Sequence, residues 1–95
     1  MRLGVIGTGY VGLVAGVGFA DFGNDVVCID IDEQRIARLR SGEVPIHEPG
    51  LPELLAENVT AGRLRFSTDF ADATRDADVI LLCVGTPPAS DGRAD

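Results

Sequence analysis

The chain has 95 residues, enough for one domain and no more. Acidic residues outnumber basic ones fifteen to eight, for a net charge of -7. The cations are scattered and have no interleaved aromatics. That excludes a nucleic-acid partner, because neutralising phosphates needs clustered Lys or Arg. The opening apolar run is too short for a signal core or a membrane span, and no longer one follows, so no membrane partner is expected.

Leu3 to Ile6 is a short apolar run before Gly7 and predicts a buried parallel strand. Gly9 to Phe22 predicts a helix, with Val11, Val14, Ala15 and Phe19 at helical spacing and Gly23 as its stop. Gly12, Gly16 and Gly18 weaken a free helix, and close approach to a sheet is the usual compensation. Asp25 to Ile31 predicts a second strand. Asp32 is placed to cap a helix that runs to about Arg40, with Ile36 and Leu39 inward. Pro45 and Pro49 keep the next stretch irregular.

Leu51 to Asn58 predicts a third helix, with Leu51, Leu54 and Leu55 inward. Leu64 to Ser67 predicts a strand. Thr68 or Asp69 caps a short helix through about Arg75. Asp78 to Val84 carries six consecutive apolar residues, which predicts a strand covered on both faces. Gly85-Thr86-Pro87-Pro88 breaks it, and the polar tail from Ala89 to Asp95 shows no periodicity. Strands alternating with helices define an α/β fold: a Rossmann-like parallel sheet with helices on both faces, here its first four strands.

Gly7-Thr8-Gly9-Tyr10-Val11-Gly12 matches G-x-G-x-x-G, and its place between strand and helix gives the match its meaning. Gly7 permits the tight turn, Gly9 lets the backbone approach a pyrophosphate, and Gly12 lets helix and strand pack closely. Free N–H groups and the helix dipole then favour the phosphates. Asp30 follows Gly12 by eighteen residues, at the end of the second strand. A carboxylate there suits the adenine ribose hydroxyls and repels the extra phosphate of NADP, so NAD is the expected cofactor. Arg35 is either a contact to the adenosine or a solvated charge. Gly85, Thr86 and Pro87 are expected to face the same crevice from the next strand end.

The two cysteines, Cys28 and Cys83, lie in apolar runs and are expected to be reduced, buried small hydrophobes, as in a cytoplasmic protein. With one His and two distant Cys, no metal site is expected. His47 reads as structural or surface. Glu33, Glu43, Glu48, Glu53 and Glu57 read as solvated faces.

Four segments together resemble the start of the UDP-glucose/GDP-mannose dehydrogenases: Gly7 to Leu13, Asp30-Ile31-Asp32, Pro45-Ile46-His47-Glu48-Pro49-Gly50-Leu51, and Cys83-Val84-Gly85-Thr86-Pro87. Asp91-Gly92-Arg93-Ala94-Asp95 resembles the family's loop after the fourth strand. The turn joined to Glu48-Pro49-Gly50-Leu51 is the more specific part of the match. The resemblance implies oxidation of the C6 alcohol of a nucleotide sugar to a carboxylate with two NAD, through a thiohemiacetal on a cysteine. UDP-glucose is the first choice of sugar, ahead of GDP-mannose or a UDP-hexosamine.

By the match, Val11, Asp30, Arg35 and Thr86 join the glycine loop as cofactor contacts. The family often has Lys where this chain has Arg35. Its nucleophilic cysteine, the Lys and Asn helpers and the sugar pocket lie further along than residue 95. The resemblance therefore implies the N-terminal part of an NAD-binding domain, inactive alone, from a parent that is a homodimer or higher. Rival readings are a dinucleotide sensor without chemistry and a flavin-binding domain. Neither needs the connection at 45–51.

Overall fold

The computed structural model describes residues 1–45 and 47–83. Ile46, Val84, Gly85, Thr86, Pro87 and the rest of the C-terminal stretch lie outside the described residues. The elements run β1 (Arg2–Ile6), α1 (Tyr10–Asp21), β2 (Asp25–Ile29), α2 (Glu33–Arg40), α3 (Leu51–Thr60), β3 (Leu64–Ser67), α4 (Phe70–Thr74) and β4 (Val79–Leu82). The strands form one sheet in the order β3-β2-β1-β4, and every pairing is parallel. The order reverses after β3: the chain passes back over β2 and β1 to place β4 on the far side of β1. This is the topological switch point, where ligands of open α/β sheets bind.

The two faces have different cores. Leu3, Val5, Val26, Cys28, Leu64 and Phe66 point to one face and pack with Leu13 and Val17 of α1, Ile36 and Leu39 of α2, and Leu51 and Leu55 of α3. The other face carries a small cluster of Val27, Ile29 and Ala73, with Ile6 against it. Alternation along each strand produces this split. Gly4 of β1 lets α4 sit close, because a Cβ there would collide with the Ala73 carbonyl.

Three expectations are corrected. First, α1 buries Gly12, Leu13, Gly16, Val17 and Ala20, while Val11 is 66% and Phe19 39% exposed. The helix is apolar on nearly every side, so period alone leaves its rotation open. The two glycines decide it. A Cβ on Gly12 would strike the Gly7 carbonyl, and one on Gly16 would lie 2.6 Å from the Cys28 sulfur. Gly18 meets nothing within 4 Å and has no such packing role.

Second, β2 ends at Ile29, and Ile31 beyond it is 93% exposed. Third, β4 is not covered on both faces: Val79, Ile80 and Leu82 are 40%, 42% and 74% exposed. It is the outer strand on that side among the described residues, and the one short helix described on the sheet's second face packs mainly on β2 and β1.

The caps follow the local chemistry. The Asp32 carboxylate accepts from the N–H groups of Gln34 and Arg35, and Asp69 accepts from Ala71. Between Gly50, with φ of 83°, and Pro52 the chain enters α3 directly. No described helix is long and apolar enough to cross a membrane.

Candidate functional site

The glycine turn sits at the C-terminal end of β1. Gly7 has φ of 103°, a conformation that glycine adopts without strain, and its N–H donates to the Ile29 carbonyl at 2.7 Å. Gly9 is the N-cap of α1 and supplies no side-chain cap. Among the described residues, the N–H groups of Gly9, Tyr10, Val11 and Gly12 have no acceptor from the protein, since the first helical bond to a residue before α1 is Leu13 to the Gly9 carbonyl. Space around Gly9 is open, with no atom within 4 Å of where a Cβ would stand. Free donors, a helix dipole and bare backbone together fit an anionic diphosphate.

Asp30, one residue past β2, reaches back to this turn. Its Oδ2 accepts from the Thr8 N–H at 3.0 Å and the Thr8 hydroxyl at 2.8 Å, and Oδ1 accepts from the Asp32 N–H at 3.0 Å. The Arg35 guanidinium stands 3.3 Å from Oδ2. Burial alone would raise the Asp30 carboxyl. The bonds from Asp32 and Thr8, with the charge of Arg35, outweigh it and hold the group below its ordinary value. Thr8 is only 1% exposed, so its hydroxyl depends on this partner. Asp30 is thus a bracket between two strand ends, with acceptor capacity left on Oδ1.

Thr8, Gly9, Tyr10, Arg35, Arg38 and Pro45 line a cleft of about 250 Å³. A larger hollow, about 320 Å³, lies at the opposite end of the strands among Arg2, Asp25, Arg63 and Arg65. It lies away from the switch point, where such folds bind ligands, so the smaller cleft is the candidate site. The end of β4 closes the inner side: the Cys83 N–H donates to the Ile6 carbonyl at 2.8 Å, and the Cys83 Cβ abuts Gly12. Of the residues expected here, Gly7, Thr8, Gly9, Tyr10, Val11, Gly12, Asp30 and Arg35 gather around the turn. Gly85, Thr86 and Pro87 fall outside the described residues.

Glu48 departs from expectation. It is partly buried, and its Oε2 accepts from the Tyr10 hydroxyl at 2.9 Å. Arg38 also escaped the sequence reading, although it stands three residues, one helical turn, after Arg35. Cys28 is fully buried, and burial, with Cys83 adding to it, pushes its thiol up to about 12, which makes it inert as a nucleophile.

Fold and site together define a dinucleotide-binding half of a Rossmann sheet. Comparison with known proteins agrees. The family model described as "UDP-glucose/GDP-mannose dehydrogenase family, NAD binding domain" matches residues 1–95. The chain is 54% identical over 96 residues to UDP-glucose 6-dehydrogenase of Rhizobium meliloti, covering 100% of this chain and 22% of that protein. It is 45% identical over 92 residues to GDP-mannose 6-dehydrogenase of Pseudomonas savastanoi pv. phaseolicola, covering 97% of this chain and 21% of that one.

Among solved structures, it superposes on the GDP-mannose dehydrogenase ternary complex from Pseudomonas aeruginosa with a TM-score of 0.93 at 40% identity, over 100% of this chain and 22% of that one. On the UDP-glucose dehydrogenase of Pyrobaculum islandicum the TM-score is 0.90 at 46% identity, over 99% and 22% of the two chains. The chain belongs to the UDP-glucose/GDP-mannose dehydrogenase family, as its NAD-binding domain. It spans about a fifth of the length of these curated relatives.

Proposed function

We propose that this chain holds NAD for a nucleotide-sugar dehydrogenase that oxidises the C6 alcohol of UDP-glucose to the carboxylate. The observation that carries the reading is the set of N–H groups at the start of α1 that have no acceptor among the described residues, joined to Asp30 through Thr8. The donors of residues 9 to 12 hold the diphosphate. Asp30 offers its remaining acceptor capacity to the ribose hydroxyls beside it, and its charge disfavours a phosphate there. Arg35, already turned toward Asp30, borders the adenosine. Val11, exposed at the first turn, adds apolar contact.

Bound NAD supplies the hydride acceptor. The described chain binds and orients it, and holds no side chain suited to the covalent step. We place the nucleophilic cysteine, its Lys and Asn helpers and the sugar pocket in further sequence of the parent protein, which acts in the cytoplasm as a homodimer or larger assembly. UDP-glucose is favoured over GDP-mannose because the UDP-glucose 6-dehydrogenases compared reach higher identity.

The test is NADH production by the protein at the length its gene encodes, with UDP-glucose, GDP-mannose and UDP-N-acetylmannosamine supplied separately. Two NADH per UDP-glucose consumed is the expected result. Turnover of another sugar alone overturns the choice of substrate, and failure to bind NAD overturns the cofactor reading.

A further inference from the structure

The Tyr10–Glu48 hydrogen bond contributes little to the core. Tyr10 is 55% exposed, and Glu48 lies in the proline-containing connection between α2 and α3. Among the described residues, this is the sole side-chain hydrogen bond that joins the glycine turn to that connection. The connection is otherwise tied near its ends. The Glu43 N–H donates to the Arg38 carbonyl at 2.9 Å, the Leu51 N–H donates to the Glu48 carbonyl at 3.1 Å, and the Leu51 side chain is buried. Between these ties stands Pro45, which has no N–H to anchor it and yet forms part of the cleft wall with Gly9 and Tyr10.

Glu48 itself lines a neighbouring hollow with Val44, His47 and Pro49, and it meets the cleft through the Tyr10 hydroxyl, which donates to its Oε2. The bond and the charge of Glu48 raise the Tyr10 phenol above its ordinary value.

We propose that Tyr10 and Glu48 form a latch that fixes Pro45 in the outer wall of the cofactor cleft, which makes Glu48 a positioning residue for the dinucleotide. The inference rests on the NAD reading above. A wall already in place costs nothing to order when the cofactor arrives, whereas a loose one subtracts its ordering from the affinity. The latch closes on the first residue of α1, the helix whose free donors face the cleft.

Titration calorimetry with NAD, on the protein at the length its gene encodes, tests this with thermal unfolding as the check on folding. Glu48→Ala and Tyr10→Phe are each expected to raise Kd about threefold, the scale of one exposed hydrogen bond. Glu48→Gln keeps an oxygen acceptor for the hydroxyl and is expected to bind as the parent does. The double variant Tyr10→Phe/Glu48→Ala is expected to be no weaker than either single one. Unchanged Kd in Glu48→Ala, additive effects in the double variant, or Glu48→Gln as weak as Glu48→Ala would each overturn the latch. A parent protein that does not bind NAD overturns the cofactor reading itself, and the two failures are told apart by that control.

Discussion

At the scale of the residue, Asp30 carries two tasks that pull in one direction. It satisfies both the N–H and the hydroxyl of buried Thr8, and it presents its remaining acceptor capacity where a ribose belongs. Asp30→Ala therefore leaves both donors of buried Thr8, and the more exposed Asp32 N–H, without their partner, at a cost of about 2–4 kcal/mol, and should also erode the preference for NAD over NADP. Urea unfolding measures the first effect and paired NAD and NADP titrations the second. An unchanged affinity ratio would count against the ribose role.

The sign of the pH effect follows from the same bonds. The folded carboxyl lies below its ordinary value of 3.8, so its contribution is full above that value and is lost as pH falls through the lowered one. The Asp30→Ala variant should accordingly show a shallower loss of stability on acidification below pH 3.8 than the parent. Equal slopes in urea midpoints against pH would sink this account.

At the scale of the element, α1 shows how backbone rather than side chain sets a helix in place. Gly16 faces Cys28 at a distance no Cβ tolerates, whereas Gly18 faces open space. Gly16→Ala should destabilise by about 1–3 kcal/mol through overpacking. Gly18→Ala should stabilise by up to about 1 kcal/mol, because it removes a flexible residue from a helix interior at no steric cost. Opposite shifts in the thermal midpoints of two chemically identical changes, two residues apart, are the expected result. Shifts of the same sign would mean that α1 is rotated from the position described.

The helix ends were more legible than the helix faces. Asp32 and Asp69 cap through contacts two or three residues away, which sequence spacing alone specifies. Asn58, by contrast, is wholly buried and bonds Asp21, the Leu54 carbonyl and Arg63. Leu54 and Arg63 are near it in the chain, but Asp21 lies on α1, 37 residues away, and the surface that buries Asn58 is assembled only in the fold.

At the scale of the whole molecule, the sheet is lopsided. Among the described residues, three helices cover one face and a five-residue helix the other, and β4 presents apolar side chains and an edge that no described strand pairs. Uncovered strands of this kind template association. The 95-residue chain on its own should therefore self-associate as its concentration rises, and Leu82→Lys should reduce this by placing a charge at the most exposed β4 position. Sedimentation velocity over a range of concentrations would decide. A chain monomeric throughout, with no effect of the substitution, would show that the edge is already protected.

By itself the sequence determined the alternation of strand and helix, the glycine turn at 7–12 and the cap at Asp32, and it narrowed the α4 cap to Thr68 or Asp69, because each depends on contacts within one turn or on a spacing set by one βαβ unit. It also carried the family likeness, in the turn and the segment at 45–51. The rotation of α1, the bareness of β4, the Thr8–Asp30 bracket and the Tyr10–Glu48 pair were decided only by the tertiary structure. Each of these depends on which surfaces meet across the sheet, and residues 22 or 38 positions apart in the chain become neighbours only when the parallel strands have aligned their ends.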